Sequence, residues 1–597
     1  MRVRRLAVQN FRGIKRCDWN VEPRLVALVG AGDATKTTLL DALGLVLSPS
    51  YSPQFTDADF YRCNTSEPIV IEAAVTELPD HLIQESQFGK DRSGIRADGT
   101  FEHDPIDDTE ECLIIRLTVN DELEPTWEVV RPGDEEGRPI SASQRARLGF
   151  FRVGERVDLH LRWARTSALT GLTENRSGAA SIILAAQRGA REAVFDAAPE
   201  QLMEAATLAQ TSARRLGSAP FGRLRPGLEP TGASSAHSLI LHDEDIPLTG
   251  FGLGTRRLTS LSIQDQAVEG GSIVVVDEIE HGLEPHRLAH VLHYLSQRTS
   301  SGELQVLLTT HSPIAVESMQ ASDLNVVRSE AGETVVQRVS AELDDVQGML
   351  RAAPSALLGR RILIGEGATE VGLIRGLLRR ADNRRRADQL PISATLGVAI
   401  VDGRGGNQAV RRGALFGELG YPVTVLIDND DASIDTEVAA AEAKGVRVIR
   451  WTQGRALEDE LIRCLDEAGL HSLVQLAAEI KGEESVRASV EARLDGASLA
   501  GLDPSAWALG ATRTPEAVRD AIAGSAVGRK VAGGGKEEKK GWFKSEDAGE
   551  QLAALVATNW SHLSKTEMGS VVTSLLAFAY EPVATEESQP SGGSDAA

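Results

Sequence analysis

The sequence predicts an α/β chain in which two parallel-sheet regions follow one another. Three observations predict it. An apolar run ending at Val29 leads into the Gly-rich turn "GAGDATKTT". Two more sharp apolar runs, "GSIVVVDE" and "LQVLLTTHS", end in acidic or polar residues. The pattern then returns in "RRILIGEG", "LGVAIVDG" and "YPVTVLIDND", each run closing on a carboxylate. Short, continuously apolar runs separated by helical segments are the pattern of strands buried on both faces.

Bulk properties narrow the function. A chain of 597 residues is too long for one core, and roughly three to five domains are expected. There is no run of about 18 apolar residues, so no membrane span is expected. The N-terminus "MRVRRLAVQNF" lacks the apolar core of a signal peptide. Cys17, Cys63, Cys112 and Cys464 show no paired spacing, which points to a reduced, cytoplasmic protein without a disulfide framework. A net charge of -23 speaks against a passive nucleic-acid coat. It leaves room for a local basic patch: Arg375, Arg379, Arg380, Arg384, Arg385 and Arg386, with Arg404, Arg411 and Arg412 nearby, form either such a patch or a solvated helix face.

In chain order, strand "RRLAVQNF", strand "LVALVG" and a helix from about Thr37 to Leu47 come first. From about Leu78 to Ser235 strands and polar loops surround a helical middle, "SGAASIILAAQRGAREAVFDAAPEQLMEAATLA". After the second α/β region, Leu461 to Ala526 reads as helical, "VAGGGKEEKKG" as a flexible loop, and "EPVATEESQPSGGSDAA" as a disordered tail.

The segment Leu25–Leu40, "LVALVGAGDATKTTLL", has the parts of a phosphate loop. A strand delivers Gly30, and the backbone N–H groups of the turn face inward at phosphate oxygens. Lys36 reaches the terminal phosphates, the Thr37 hydroxyl ligates Mg2+, and the helix N-terminus adds its dipole. Thr35 stands where the pattern wants glycine, and a β-branched residue resists positive φ. Asp277 and Glu278 end the next strand as metal-holding and water-polarising acids. His311 ends another, and "LTGFGLGTRRLTSL" places Gly252 and Gly254 before a helix. In this order the set resembles an ABC-type ATPase, whose switch histidine and signature helix occupy these places and whose heads sandwich ATP between two copies. Thr35 leads us to expect ATP binding with slow turnover. His286, His290 and His293 fall on one helix face, but no acid or cysteine at matching spacing completes a zinc site.

In the second region, Glu366 ends a strand and Glu370 opens a helix, while Asp428 and Asp430 end a later strand at i, i+2 and face one side. Strand C-terminal ends are where parallel sheets build sites. Carboxylates packed there repel unless divalent cations neutralise them, and oxygen-only ligation suits Mg2+ or Mn2+. E-G-x-x-[DE] followed by D-x-D resembles the Toprim domain. An ATPase beginning "LAVQNFRGI" with Toprim behind it resembles the OLD (overcoming lysogenization defect) family, which includes the nuclease of the Gabija anti-phage system.

The resemblance implies an ABC ATPase at 1–80 and 236–345, split by an insertion and dimerisation region at 81–235. A Toprim (Rossmann-like) core follows at 356–465, with a helical insertion at 466–530, a C-terminal part at 531–580 and a tail at 581–597. It implies Glu366, Glu370, Asp428 and Asp430 as metal ligands, joined by Glu458 of "GRALEDELI", with Glu460 a weaker choice and Asp402 either joining or shaping a loop. It implies Lys544 of "GWFKSEDAGEQLA" as the catalytic lysine, with Lys539 and Lys540 as competitors. The implied activity is ATP-regulated, Mg2+- or Mn2+-dependent DNA cleavage in anti-phage defence. The implied partners are DNA, further copies of the chain (dimer or dimer of dimers) and a UvrD-like helicase or other defence-system protein. The competing expectation is an ATP-dependent DNA clamp of the RecF/SMC type with an inactive Toprim domain.

Overall fold

Apolar runs without polar alternation become strands covered on both faces, and the strands that carry the sites are of this kind. The computed structural model describes residues 1–47, 49, 53–80, 82–84, 87–153, 157–163, 167–172, 198–217, 221–228, 239–267, 272–340, 346–494, 498–508, 513–529 and 541–581. Residues 177–197 of the expected helical middle, 531–540 of the Gly/Lys segment with Lys539 and Lys540, and the tail from 582 lie outside the described residues. The chain divides into two units, Met1–Leu357 and Leu358–Ala597. Among the described residues no helix is long and apolar enough to cross a membrane.

The first unit is built around a large sheet, with fourteen strands among the described residues, beside a three-stranded sheet of Leu224–Leu228, Leu239–Asp243 and Ile246–Pro247. Ten strands of the large sheet are β1 (Arg2–Phe11), β2 (Ile14–Asn20), β3 (Leu25–Val29), β4 (Ile69–Thr76), β5 (Glu110–Val119), β6 (Phe150–Val153), β7 (Ser272–Val276), β8 (Leu304–Thr309), β9 (Leu324–Glu330) and β10 (Glu333–Arg338). Strands β6, β7, β8, β3 and β9 run parallel in that order, so the loops after β3, β7 and β8 leave from one edge. All three are buried along their length. The sheet continues through β10, β2, β1, β4 and β5, mainly antiparallel. Strands from the stretch read as an insertion thus pair within this sheet: β5 onto β4, and β6 onto β7.

Helix α1 (Lys36–Leu47) begins one residue before the expected Thr37 and buries Leu39, Leu40, Leu43 and Val46. Helices α2 (Glu200–Arg215) and α3 (Leu253–Ala267) belong to a smaller core around Leu202, Leu224, Leu241 and Ile263. On α4 (Pro285–Ser300) two of the three histidines have partners: His290 Nε2 lies 2.6 Å from the Arg215 carbonyl and His293 Nε2 lies 3.0 Å from Gln297 Nε2.

The second unit has a four-stranded, wholly parallel sheet: β11 (Arg361–Gly365), β12 (Val398–Asp402), β13 (Val423–Ile427) and β14 (Arg447–Arg450), in the order β12-β11-β13-β14. The chain leaves β11 through α5 (Ala368–Ala387), reaches β12 on one side, then crosses through α6 (Gly406–Glu418) to β13 on the other. That reversal makes the C-terminal end of β11 a topological switch point. Helices α7 (Leu457–Cys464), α8 (Glu467–Lys481), α9 (Pro515–Val527), α10 (Glu546–Thr558) and α11 (Glu567–Tyr580) complete the unit, so the expected helical stretch is present in its described residues.

Glycine sets how closely α10 approaches α5. A Cβ at Gly372 would fall onto the Glu546 carbonyl oxygen, one at Gly549 onto the Thr369 carbonyl, and one at Gly376 would lie 2.5 Å from the Ala553 Cβ. We expect Gly372→Ala to push the two helices apart and destabilise this unit by about 1–3 kcal/mol, read as a lowered melting temperature. An unchanged melting temperature would show that the approach is not required.

Candidate functional site

The nucleotide loop forms where β3 gives way to α1. Gly30 has φ 138°, and a Cβ there would sit 2.5 Å from the Val327 carbonyl oxygen, so the first glycine is required twice over. Thr35 adopts φ 60°, the left-handed geometry that glycine accepts freely. A β-branched residue there costs about 1–2 kcal/mol. Its hydroxyl donates to the Ala34 carbonyl at 2.7 Å and lies 3.1 Å from the buried Thr334 hydroxyl on β10. A Cβ at Gly13, in the β1–β2 turn, would stand 3.2 Å from the Thr35 methyl. The loop therefore keeps its backbone shape with threonine in the glycine place.

Lys36 is buried and donates to the carbonyls of Gly30 at 3.0 Å and Ala31 at 2.6 Å. Burial brings its ammonium down to about 8, against the opposing pull of Asp33, Asp277 and Glu280. Thr37 Oγ1 donates to Asp277 Oδ1 at 3.2 Å, and Thr309 Oγ1, at the end of β8, donates to the same oxygen at 2.5 Å. Glu278 is exposed with φ 46°, its N–H donating to Thr309 Oγ1 at 2.8 Å. His311 is held by its backbone: its N–H donates to Glu280 Oε1 at 2.6 Å, while Thr310 Oγ1 donates to Glu280 Oε2 at 2.7 Å. Burial and Lys36 lower its imidazole pKa, which keeps it neutral near pH 7. Gly252 lies in open space before α3, whereas a Cβ at Gly254 would strike the Gly282 carbonyl. Buried Arg257 of α3 donates to the Asp277 carbonyl at 2.5 Å and the His281 carbonyl at 3.1 Å.

The second cluster forms at the β11 switch point. Glu366 Oε2 accepts from the Asp428 N–H at 2.7 Å, which ties the ends of β11 and β13 together. Glu370 turns back to cap its own helix, accepting from Gly367 N–H at 2.9 Å. Asp428 Oδ1 accepts from Leu457 N–H at 3.0 Å and so fixes the start of α7. Glu458 is buried on α7; Oε1 accepts from Lys544 Nζ at 3.0 Å, and Oε2 has no hydrogen-bond partner among the described residues. Lys544 is delivered by the α5–α10 packing and by the Thr369 hydroxyl, which donates to the Phe543 carbonyl at 2.5 Å. Asp430 is exposed beside Glu366 and helps raise its carboxyl.

The electrostatics show four crowded acids and one cation. Burial, then Glu370, Glu366 and Glu458, push Asp428 up to about 9. Burial, then Glu458 and Glu366, push Glu370 up to about 7. For Lys544, burial lowers the pKa, but Glu458, Glu370 and Asp428 outweigh it and the net direction is up. Among the described residues no three acid, histidine or cysteine side chains already close on one point as a metal cage. The donor set nevertheless fits a hard divalent cation: all oxygen, in excess of its cations, with a buried carboxylate oxygen unsatisfied.

Other expected residues have structural partners. Asp402 accepts from Arg404 N–H at 2.9 Å and shapes the loop after β12. Buried Glu460 accepts from Thr452 N–H at 3.1 Å and from Arg455 at 3.3 Å. Arg375 pairs with Glu546, Arg379 with Glu550 at 2.7 Å, Arg385 lies 4.3 Å over the Tyr580 ring, and Arg412 is buried on the Asp402 carbonyl at 2.6 Å. Of the nine arginines of the row, Arg375, Arg379, Arg385 and Arg412 are thus engaged within the fold, while Arg384, Arg404 and Arg411 are exposed.

Residues 25–317 match AAA_21, an AAA domain family, and residues 357–430 match the overcoming lysogenization defect protein-like TOPRIM domain. The chain pairs an AAA-type ATPase domain with an OLD-like TOPRIM domain. The OLD nuclease of Thermus scotoductus is 24% identical over 395 residues, covering 61% of this chain and 71% of that protein. Similar solved structures include an Smc head bound to the C-winged helix domain of ScpA, with 16% identity, 57% of this chain, 98% of that chain and TM-score 0.36. Another is an Smc head with an extended coiled coil bound to the C-terminal domain of ScpA derived from Pyrococcus furiosus, with 14% identity, 57% and 96% coverage and TM-score 0.36.

Several residues of the ATPase and TOPRIM domains escaped the sequence reading. Glu280 repeats the acid of Glu278 two residues on, a signal that was present. Thr309 is the first threonine of "TTHS". Asn429, between Asp428 and Asp430, gave none: its N–H donates to the Arg455 carbonyl at 2.9 Å, its carbonyl accepts from Gly454 N–H at 2.7 Å, and its side chain donates to the Trp451 carbonyl at 2.9 Å.

Two outcomes are expected. Asp428 and Glu370 hold their protons more tightly folded than unfolded, where carboxyls ionise near pH 4. Their contribution to stability is therefore complete below that pH and is lost as pH rises through about 7 and about 9. Without divalent ions, the TOPRIM melting temperature should fall across this window, Mg2+ or Mn2+ should restore it at alkaline pH, and Asp428→Asn should flatten both responses. Thr35→Gly should leave ATP affinity within about twofold and global stability within about 1 kcal/mol, because strain relief is offset by a freer unfolded chain. It should raise a slow wild-type turnover, measured by phosphate release.

Proposed function

We propose that this protein is a divalent-metal-dependent DNA endonuclease whose ATPase domain regulates cleavage. The observation that carries the reading is the convergence of Glu366, Glu370, Asp428 and Glu458 beside Lys544 at the switch point of a TOPRIM sheet. The similarity to an OLD nuclease supports the same class of reaction. Glu366, Glu370, Asp428, Asp430 and Glu458 would hold Mg2+ or Mn2+. Such ions supply an activated water and charge neutralisation for in-line attack at a phosphodiester.

The chain's own residues supply the rest. Glu366, bound to the Asp428 backbone, keeps the two strand ends in register, and the Asp428–Leu457 contact keeps Glu458 facing them. Lys544 hydrogen-bonds Glu458 and is partly exposed, so its ammonium is placed to meet developing negative charge on a non-bridging phosphate oxygen. In the ATPase domain, Lys36, Thr37 and Asp277 bind nucleotide and its metal, Glu278 orients water and His311 senses the terminal phosphate. Gly252, in open space before α3, suits presentation of that helix to a nucleotide on a second copy. ATP thereby sets the geometry of a homo-oligomer and the access of DNA to the TOPRIM site. The biological setting that fits is defence against phage or other foreign DNA.

Supercoiled-plasmid nicking tests the reading. Wild type should nick with Mn2+ or Mg2+ and not with chelator; Glu366→Ala should fall to background, and Lys544→Ala should lose about 100- to 1,000-fold. Lys36→Ala should retain nicking and lose its response to ATP. Equal nicking by wild type and Glu366→Ala would remove the nuclease claim.

A further inference from the structure

A strand of DNA needs cations and hydroxyls for its phosphates, and on α5 three arginines, Arg375, Arg379 and Arg385, are already engaged with Glu546, Glu550 and Tyr580. A different surface of the TOPRIM unit offers cations and hydroxyls together. Between α7 and α11 runs a groove of about 750 Å³. Arg455 and Arg463 line it on the α7 side, and His562 and Lys565, both exposed, line it at the entry to α11. From α11 itself come the hydroxyls of Ser570 and Thr573. With Thr566 these stand at i, i+4 and i+7, a single polar face. The opposite face of α11 is buried through Met568, Val571, Val572 and Leu575, so the helix cannot rotate to hide the hydroxyls.

Two acids also belong to the groove. Glu460 is wholly buried beneath it and accepts from Arg455, Thr452 N–H and the Cys464 thiol. Glu567, exposed in the first turn of α11, is stabilised there by the helix dipole and keeps its charge. Arg463 shares its guanidinium with Asp520 at 2.6 Å. An open groove in which cations and hydroxyls outnumber the acids, with more polar than apolar lining, suits phosphodiester contact better than a drug-like or cofactor pocket.

Position is the second argument. The Arg455 carbonyl accepts from Asn429 N–H at 2.9 Å, and Leu457 N–H, two residues on, donates to Asp428 Oδ1 at 3.0 Å. One edge of the groove is therefore the same short segment that carries the carboxylate cluster. We infer that this groove holds the phosphodiester backbone of the DNA strand flanking the carboxylate site. The inference rests on the nuclease reading of that site, and it names where the substrate is held.

The test is DNA binding by the full chain, with chelator present so that cleavage does not enter. Fluorescence anisotropy of a labelled duplex would be followed over a range of salt. Lys565→Glu and Ser570→Glu should each weaken binding at least about fivefold, and Lys565→Ala should reduce the slope of log affinity against log salt by about one. Ser570→Glu adds an acid near a helix N-terminus, where the fold tolerates it. Ser472→Glu, an exposed change of equal charge on α8, should bind as wild type does. An unaltered melting temperature and Mg2+ response would show that the variants are folded. Binding by both groove variants within twofold of wild type overturns the proposal, as does wild type that binds no DNA. Groove-dependent binding without nicking by either ion would sink the nuclease reading and leave the groove standing.

Discussion

Charge crowding at the end of β11 is the constraint on which the rest of the second unit depends. Two like charges ~4 Å apart repel by ~4 kcal/mol at an effective dielectric of ~20. Glu366, Glu370, Asp428 and Glu458 bring several such pairs together around the single cation of Lys544. A sequence selected only for stability would replace these acids with apolar residues of similar volume. The fold instead holds them in place: two are tied by backbone N–H groups across separate strands and helices, and one is tied to lysine.

Holding them requires unusually close packing elsewhere. Gly372, Gly376 and Gly549 let α10 lie against α5 almost backbone to backbone, and that contact brings Phe543 and Lys544 to the start of α5. Asn429 performs the corresponding task on the other side, with three hydrogen bonds that wrap residues 451–455 around the end of β13 and aim α7. The helical part of the unit therefore serves the site: the lysine and the fourth acid both come from elements outside the four-stranded sheet.

What was legible in the sequence follows from this division. Glu366, Asp428 and Asp277 could be read because each ends a short apolar strand, and strand ends announce their position locally. Glu458 and Lys544 came only from a family resemblance, since a helix start and a charged segment look the same whether they face solvent or a site. The arginine row was ambiguous for a related reason. Its partners Glu546 and Glu550 lie far along the chain, and nothing local says that a charge run has been answered. Thr35 was legible as a departure from the pattern, since a β-branched residue resists positive φ, and the loop nevertheless takes φ 60° there, with the Thr35 hydroxyl beside that of Thr334.

The two candidate sites have opposite deficits, and this bears on how an acidic chain handles a polyanion. In the ATPase domain, Lys36 is buried and faces loop carbonyls, so the loop favours an incoming anion. In the TOPRIM domain, acids outnumber the cation, so the site favours added positive charge over a bare anion. A net charge of -23 removes the general attraction that draws DNA to basic proteins. On the proposed nuclease reading, DNA would be held at a few points where cations and hydroxyls are concentrated. On that reading contact with DNA depends on such local points and not on overall charge, which restrains the protein from adhering to every duplex it meets.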